Sequence, residues 1–324
     1  MTSPTPSTAV ANLRPDISGM FTEYDLEANQ ARMIGLQVFP VFEAGLQAGP
    51  FGKITIESLL RAVRTNRSSG GGYNTTEFEF TNDSYATSEH GLVVPVDNRN
   101  AKIYANYFDA EVVAARLARH GVMVNQEARI AAKVFNTSTF TPTAVTTEWS
   151  SADTADPISD VEAAVQRLYA KGIIANALII NWKVFRNLRN CAAIIDRITS
   201  AGAGQSAKPS EITAQLLATV FDIEQVIVAG AQSNSAAQGQ AASINSIWSN
   251  EYAMIGRVAS AGASIEEPCL GRTFHWGEDG SSIGGTFETW YDEDIRGDKI
   301  RCRMDTDEKL LYADAGELLS NITA

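Results

Sequence analysis

Histidine and cysteine are scarce in this sequence, with three of each among 324 residues. That scarcity removes most side-chain chemistry before any fold is considered. His90, His120 and His275 stand far apart, and none has the spacing of a metal site or of a nucleophile and its base. Cys191, Cys269 and Cys302 are odd in number, widely separated and without a Cys-x-x-Cys pair. They read as buried thiols in a reducing compartment. Long apolar runs are missing too: Gly172 to Ile180 is interrupted at Asn176, well short of the roughly 20 residues that cross a bilayer. The opening residues, Met1-Thr-Ser-Pro-Thr-Pro, lack the positive charge and apolar core of a secretory signal, so the product is expected to stay where it is made.

Phosphate and calcium signatures fail in the same way. Gly70, Gly71 and Gly72 lack the Lys-Ser/Thr of a P-loop. Asp292, Asp294 and Gly297 have the outline of a calcium loop, but Arg296 and Arg303 occupy positions where oxygen ligands are required. The sequence therefore offers no catalytic residue, no cofactor site and no metal site, and the expectation is a protein that is not an enzyme. Positive charge is in deficit: 26 Lys and Arg face 38 Asp and Glu, a net charge of -12. Such a surface does not suit gripping nucleic acid through its phosphates.

What is present suffices for a folded protein. Hydrophobic residues make up 44% and charged residues 20%, ordinary values for a globular chain of one large or two ordinary domains. Residues 1–50 read as an arm: Ser, Thr and Pro dominate its start, and the apolar stretch Met33 to Phe42 is punctuated by Gly35 and Pro40, as in an extended segment laid on another surface. After the glycines, Phe78 and Phe80 alternate with Glu77 and Glu79 at the period of a strand. Its expected return strand is Leu92 to Val96, with Pro95 marking a sheet edge, and Thr81 to Gly91 is the polar turn between them. Such a hairpin has no core of its own and expects a neighbour. Arg61, Arg64 and Arg67 lie three apart and form one basic face if helical.

From Asp109 to Phe135 the apolar positions take a helical period, predicting a helix about 40 Å long, with Gly121 as a kink or a site of close packing. A Thr/Ser/Pro-rich connector leads to an α/β region. Asp156-Pro157 opens a helix that Gly172 ends; Ala177 to Ile180 is a strand; Asn181 caps the helix from Trp182. Ser210 opens a further helix, Ile223 to Val228 is a strand, and Ala229 to Ser246 is a long loop. Phe287 to Tyr291, Ile300 to Met304 and Lys309 to Tyr312 read as strands, and Asp314 to Ile322 as a closing helix.

Three stretches carry a family resemblance. Trp290 to Arg303 with Leu311-Tyr-Ala-Asp-Ala-Gly-Glu-Leu-Leu is the most specific, followed by Glu127-Ala-Arg-Ile-Ala-Ala-Lys-Val-Phe-Asn and by Ala177-Leu-Ile-Ile-Asn-Trp-Lys-Val-Phe-Arg-Asn-Leu. With the order of parts, they make the chain resemble the major capsid proteins of tailed bacteriophages, whose fold is shared with encapsulins. The resemblance implies an α+β capsid fold with an N-terminal arm (1–50), an extended E-loop hairpin (51–104), a P-domain spine helix (105–150), an A-domain (151–286) and closing P-domain strands (287–324). It implies an icosahedral virion shell of pentamers and hexamers around double-stranded DNA, built in the host cytoplasm without sequence-specific DNA contacts. A separate scaffolding protein, a portal and decoration proteins are the implied partners. Members that cross-link through an E-loop lysine are not matched, since no lysine lies between Lys53 and Lys102. Phe78, Phe80, Arg61, Arg64, Arg67, Asp292 and Asp294 are the candidate assembly residues. An encapsulin-like compartment around protein cargo is the alternative, and a cytosolic α/β enzyme the rival from another class.

Overall fold

The computed structural model describes residues 26–77, 79–105, 109–199, 208–237, 239–260, 262 and 267–323. Helices dominate the middle of the chain and strands its last third. First come α1 (Leu26–Gln30), α2 (Gly35–Val38), β1 (Val41–Ala44), β2 (Ala48–Ile54), α3 (Ile56–Leu59), β3 (Phe80–Ala86) and β4 (Ser88–Asp97). Next are α4 (Asn98–Tyr104), the long α5 (Ala110–Val134), β5 (Thr143–Ala144), α6 (Pro157–Ala170), β6 (Ala177–Asn181), α7 (Trp182–Asn190), α8 (Ala192–Ile198) and α9 (Ala214–Val220). The remainder is strand: β7 (Gln225–Ala229), β8 (Gln232–Asn234), β9 (Ile244–Ser246), β10 (Ala253–Gly256), β11 (Gly271–Trp276), β12 (Thr286–Asp292), β13 (Gly297–Leu310) and β14 (Gly316–Ser320).

Two sheets organise these elements. The first runs β1-β11-β13-β12, with β4 on the opposite side of β13. Strand β13 is the axis of this sheet: its first half pairs with β12 on one side, its second half with β11, and residues 297–306 with β4 on the other. The second sheet runs β5-β14-β10-β6-β7. Its central strands are buried on both faces, as a sheet covered on both sides requires. Leu178, Ile180, Val226, Ile255 and Leu319 face the layer made by α6, α7, α8 and α9. Ile179, Ile227, Met254 and Leu318 face the other way, onto Ile130 and Val134 of α5 and onto Ile34, Val38 and Phe39.

Helix α5 joins the two sheets. Asp109 caps its start by accepting from Glu111 N and Val112 N, and Phe135 ends it. Ala114, Ala118 and Val122 pack on Val96, Ile300, Cys302 and Met304 of the first sheet, while Ile130, Ala131 and Val134 pack beneath the second. Gly121 sits where Leu92 crosses the helix: a Cβ there would lie 2.6 Å from Leu92 Cδ2. Glycine at this position permits close packing, and the helix is continuous through it.

Several sequence expectations need correction. The hairpin is formed by β2 and β3, with Ala48 opposite Ala86 and Ile54 opposite Phe80, and the excursion between them spans residues 55–79. The segment Leu92 to Val96 belongs to β4, whose partner is β13 some 200 residues on, and the supposed turn Thr81 to Gly91 is mostly strand. Pro95 does lie on an edge, since among the described residues β4 pairs with β13 alone. The apolar stretch after Met33 is not spread on a foreign surface: Ile34, Val38 and Phe39 are buried in this chain's own core, and β1 pairs with β11. The helix expected from Ser210 starts at Ala214, with Thr213 accepting from Leu216 N. The closing helix is a single 3-10 turn, Ala313–Ala315, followed by β14. Leu318 and Leu319 are buried on opposite faces of a central strand, so they show no alternation and mimic a short helix.

Candidate assembly surface

The β2–β3 hairpin projects from the first sheet and is fastened to it at the base. Tyr85 stacks on Phe274 with ring centroids 4.6 Å apart, and Phe51 approaches the same ring at 5.6 Å. Asp83 binds Lys53 of β2 at 2.5 Å and Lys309 of β13 at 2.8 Å. Burial pushes the Asp83 carboxyl up, but hydrogen bonds from Lys309 and Lys53 outweigh it and hold the group well below the usual carboxylate range. Lys53 also donates to Leu311 O at 2.6 Å.

Beyond the base little is covered. Residues 59–77 are exposed throughout. Leu59 and Leu60 are each 67% exposed, Tyr73 77% and Phe80 61%, so the excursion presents apolar groups that its own subunit leaves in solvent. Phe80 opens β3; Phe78 lies outside the described residues. Arg61, Arg64 and Arg67 do not form a helical face, because α3 stops at Leu59 and residues 61–68 are irregular. Beyond Leu60 no residue of the segment is buried, so nothing offsets the entropy of extending this four-residue helix. The irregular segment is tied locally instead: Arg67 Nε donates to Gly71 O at 2.6 Å and its guanidinium lies 4.7 Å from the Tyr73 ring, while Asn74 Nδ2 donates to Arg64 O. Beneath α3 and Phe51, a cavity of about 620 Å3 reaches Ile173, Ile174 and Tyr312.

Asp292 ends β12 and Asp294 lies in the turn that joins it to β13, far along the chain from the arginines. Asp292 pairs with Lys299 and accepts from Asp294 N, and the Lys299 hydrogen bond draws its carboxyl below the ordinary value. Asp292 is thus committed within its own hairpin, whereas Asp294 is exposed. A feature absent from the sequence reading sits beside them. Strand β12 ends the first sheet and exposes Phe287 by 45%, Trp290 by 40% and Tyr291 by 54%. An edge strand with bare aromatic side chains is a site for association. Its signal was the aromatic density of Phe287-Glu-Thr-Trp-Tyr, but the edge position depends on partners distant in sequence.

One cluster has the form of catalytic machinery. His275 Nδ1 lies 2.6 Å from Glu43 Oε2, and its Nε2 lies 2.9 Å from Ser281 Oγ. The Ser281 hydroxyl donates to Trp276 O and receives Asp305 N, and both Ser281 and His275 are buried. A nucleophile needs a free lone pair and room for a carbonyl beside it. This one has its hydrogen-bonding capacity committed and ties β11 to the loop before β12. Among the described residues no group of three or more His, Cys, Asp or Glu is placed to hold a metal ion, and no helix is long and apolar enough to cross a membrane.

A second polar convergence lies inside the core. Glu127 on α5 is buried, and its carboxylate accepts from Ile34 N at 2.8 Å, Gly35 N at 2.7 Å and Trp248 Nε1 at 2.6 Å. Burial pushes its carboxyl up from the usual value, and these three donors pull the other way. Nearby, Arg129 makes a two-pronged pair with Glu308, at 2.8 and 2.7 Å, that fixes α5 to β13.

No protein-family model and no curated protein matches the sequence. Solved structures do match the fold. A phage-related protein of Bordetella bronchiseptica superposes with a TM-score of 0.64 at 19% identity, over 92% of this chain and 96% of that one. The capsid of the cyanophage P-SCSP1u gives 0.57 at 10% identity, over 87% and 86%. An encapsulin complex from Synechococcus elongatus gives 0.52 at 12% identity, over 98% and 96%. Two sheets joined by one long helix, with a hairpin projecting from the first, match these proteins over nearly their whole lengths, and the chain has the fold that phage major capsid proteins share with encapsulins.

Proposed function

We propose that this chain is a shell subunit, the major capsid protein of a tailed phage, which assembles with copies of itself into an icosahedral head around double-stranded DNA. The observation that carries the reading is the hairpin excursion of residues 55–79, fastened at its base yet exposing Leu59, Leu60 and Tyr73 along its length. A lone soluble subunit gains nothing from such a projection; a neighbouring copy that covers it gains apolar burial at every repeat of the contact. The exposed aromatic edge at β12 supports the same reading. On it, residues 1–50 serve as arm, 51–104 as E-loop region, 105–150 and 287–324 as the peripheral domain, and 151–286 as the axial domain. Scaffolding, portal and decoration proteins are its expected partners, the virion its place, and the host cytoplasm the place of assembly.

The likeness to an encapsulin over 98% of the chain favours a second reading, a compartment around protein cargo. Purified particles separate the two. Genome-length double-stranded DNA extracted from closed shells supports the phage head, and a stoichiometric protein cargo without DNA supports the compartment. A small soluble oligomer that forms no shell under any assembly condition overturns both.

A further inference from the structure

The Glu127 carboxylate joins two segments that no sheet pairing connects among the described residues. One oxygen, Oε1, receives both Ile34 N from the start of α2 and the indole Nε1 of Trp248; the other, Oε2, receives Gly35 N. Space on the arm side is tight: a Cβ on residue 35 would lie 2.5 Å from Oε2 and 2.8 Å from Ile130 Cδ1, so a side chain there has to displace the carboxylate. The opposite side is the base of the β8–β9 hairpin, whose strands span residues 232–234 and 244–246 and which exposes Ile244 by 59%. Further ties run in parallel. Asn29 Nδ2 donates to Gln232 O and Asn29 Oδ1 accepts from Gln232 N, while Gly230 N donates to Arg32 O. Phe135 of α5 meets the Trp248 ring edge-on at 5.2 Å, which fixes the indole beside the carboxylate.

We propose that Glu127 is a positioning residue that couples the base of the N-terminal segment to the β8–β9 hairpin, so that loosening either one loosens the other. The physical basis is a shared acceptor. Loss of one N–H donor from a buried carboxylate leaves charge poorly solvated, and the remaining donors are then held to a group that gains by reorienting toward water. A contact that moves the exposed hairpin is thereby felt at residues 29–35. This coupling depends on the fold of the single chain and not on its assembly.

Hydrogen exchange of the full-length protein, read in peptides covering 26–39 and 229–248, tests it. Trp248→Phe removes the indole donor without touching the arm, and the expected result is exchange faster by roughly ten- to a hundredfold in 26–39 as well as in 229–248. Gly35→Ala intrudes from the arm side and should loosen 229–248 in return. Glu127→Gln should loosen both, with peptides from β6 and β10 unchanged. If each variant loosens only its own side, or if exchange rises uniformly across the chain, the coupling is refuted. Should Glu127→Gln fail to fold, the reciprocal effect of Trp248→Phe in protein of native circular dichroism decides alone.

Discussion

Replacing Asp83 by asparagine should loosen the projecting hairpin on the body of the protein while leaving the two sheets intact. Asp83 receives Lys53 at 2.5 Å and Lys309 at 2.8 Å, with side chains 27%, 16% and 28% exposed respectively. Fully exposed pairs contribute about 0–1 kcal/mol and hydrogen bonds to buried charges about 1.5–3. At this intermediate burial about 1 kcal/mol each is reasonable, so the variant loses about 2 kcal/mol. That loss is local, because Phe51 and Tyr85 remain on Phe274 and the sheets do not depend on the hairpin. Amides of 48–54 and 80–86 should therefore exchange about thirtyfold faster at pH 7, with those of β6, β10 and α5 unaffected. The pH dependence follows from the depressed carboxyl. Its stabilisation is complete above the unfolded value near 4 and is lost as pH falls through the lower folded value, so the difference between native protein and variant should hold from about pH 5 to 8 and shrink progressively below about pH 4. Equal hairpin exchange in the two proteins at pH 7, or a difference that persists undiminished in strong acid, refutes the assignment of this carboxylate as the fastening.

Three further outcomes are expected. Phe78→Ser with Phe80→Ser should leave soluble subunits of near-native circular dichroism but no shells by electron microscopy, each ring contributing about 1.5–3 kcal/mol per buried contact; normal shells, or failure to fold, would contradict an intersubunit role. Mature particles run without reductant should give a single band near 34.9 kDa, since Cys191, Cys269 and Cys302 are all buried and the excursion holds no lysine; a ladder of multimers would show a covalent shell. Isolated subunits, with a net charge of -12, should bind duplex DNA weakly even at low salt, and tight, steeply salt-dependent binding would show that the inner wall grips its contents.

The elements legible in the sequence are those whose signals are local. Helix α5 begins one residue after its Asp109 cap and ends before Phe135, and α6 starts at Pro157 behind Asp156, because caps and a 3.6-residue period are written within a few positions. Asn181 accepts from Lys183 N as its place before the helix predicted. Pairing was not legible. Nothing near Phe80 says that its partner is Ile54 and not Val94, since both candidates are apolar and the turn between β2 and β3 spans 25 residues with no hairpin chemistry of its own. Strands β10 and β11 were missed because nearly every residue in them is buried, which erases the alternation that marks a strand. Glu127 was readable in principle: it lies three, four and seven positions before Ile130, Ala131 and Val134, on the buried stripe. A carboxylate on that stripe asks for donors, but their source in the arm and at Trp248 is visible only in three dimensions.

Strand β13 imposes an order of events on the making of this protein. Its first ten residues hold β4, so a strand finished early in synthesis waits for a segment made some 200 residues later, whereas β11, held by the last five, waits for fewer than 40. Until residue 310 has left the ribosome the first sheet has no centre, and Lys309, one of the two cations that fasten the hairpin, does not exist. Long-range pairing of this kind folds slowly and late. The projecting hairpin thus acquires its full fastening only after β13 has been made. Chains stalled near residue 290 should leave the amides of 88–97 unprotected, whereas protection in such chains would mean that β4 finds another partner first.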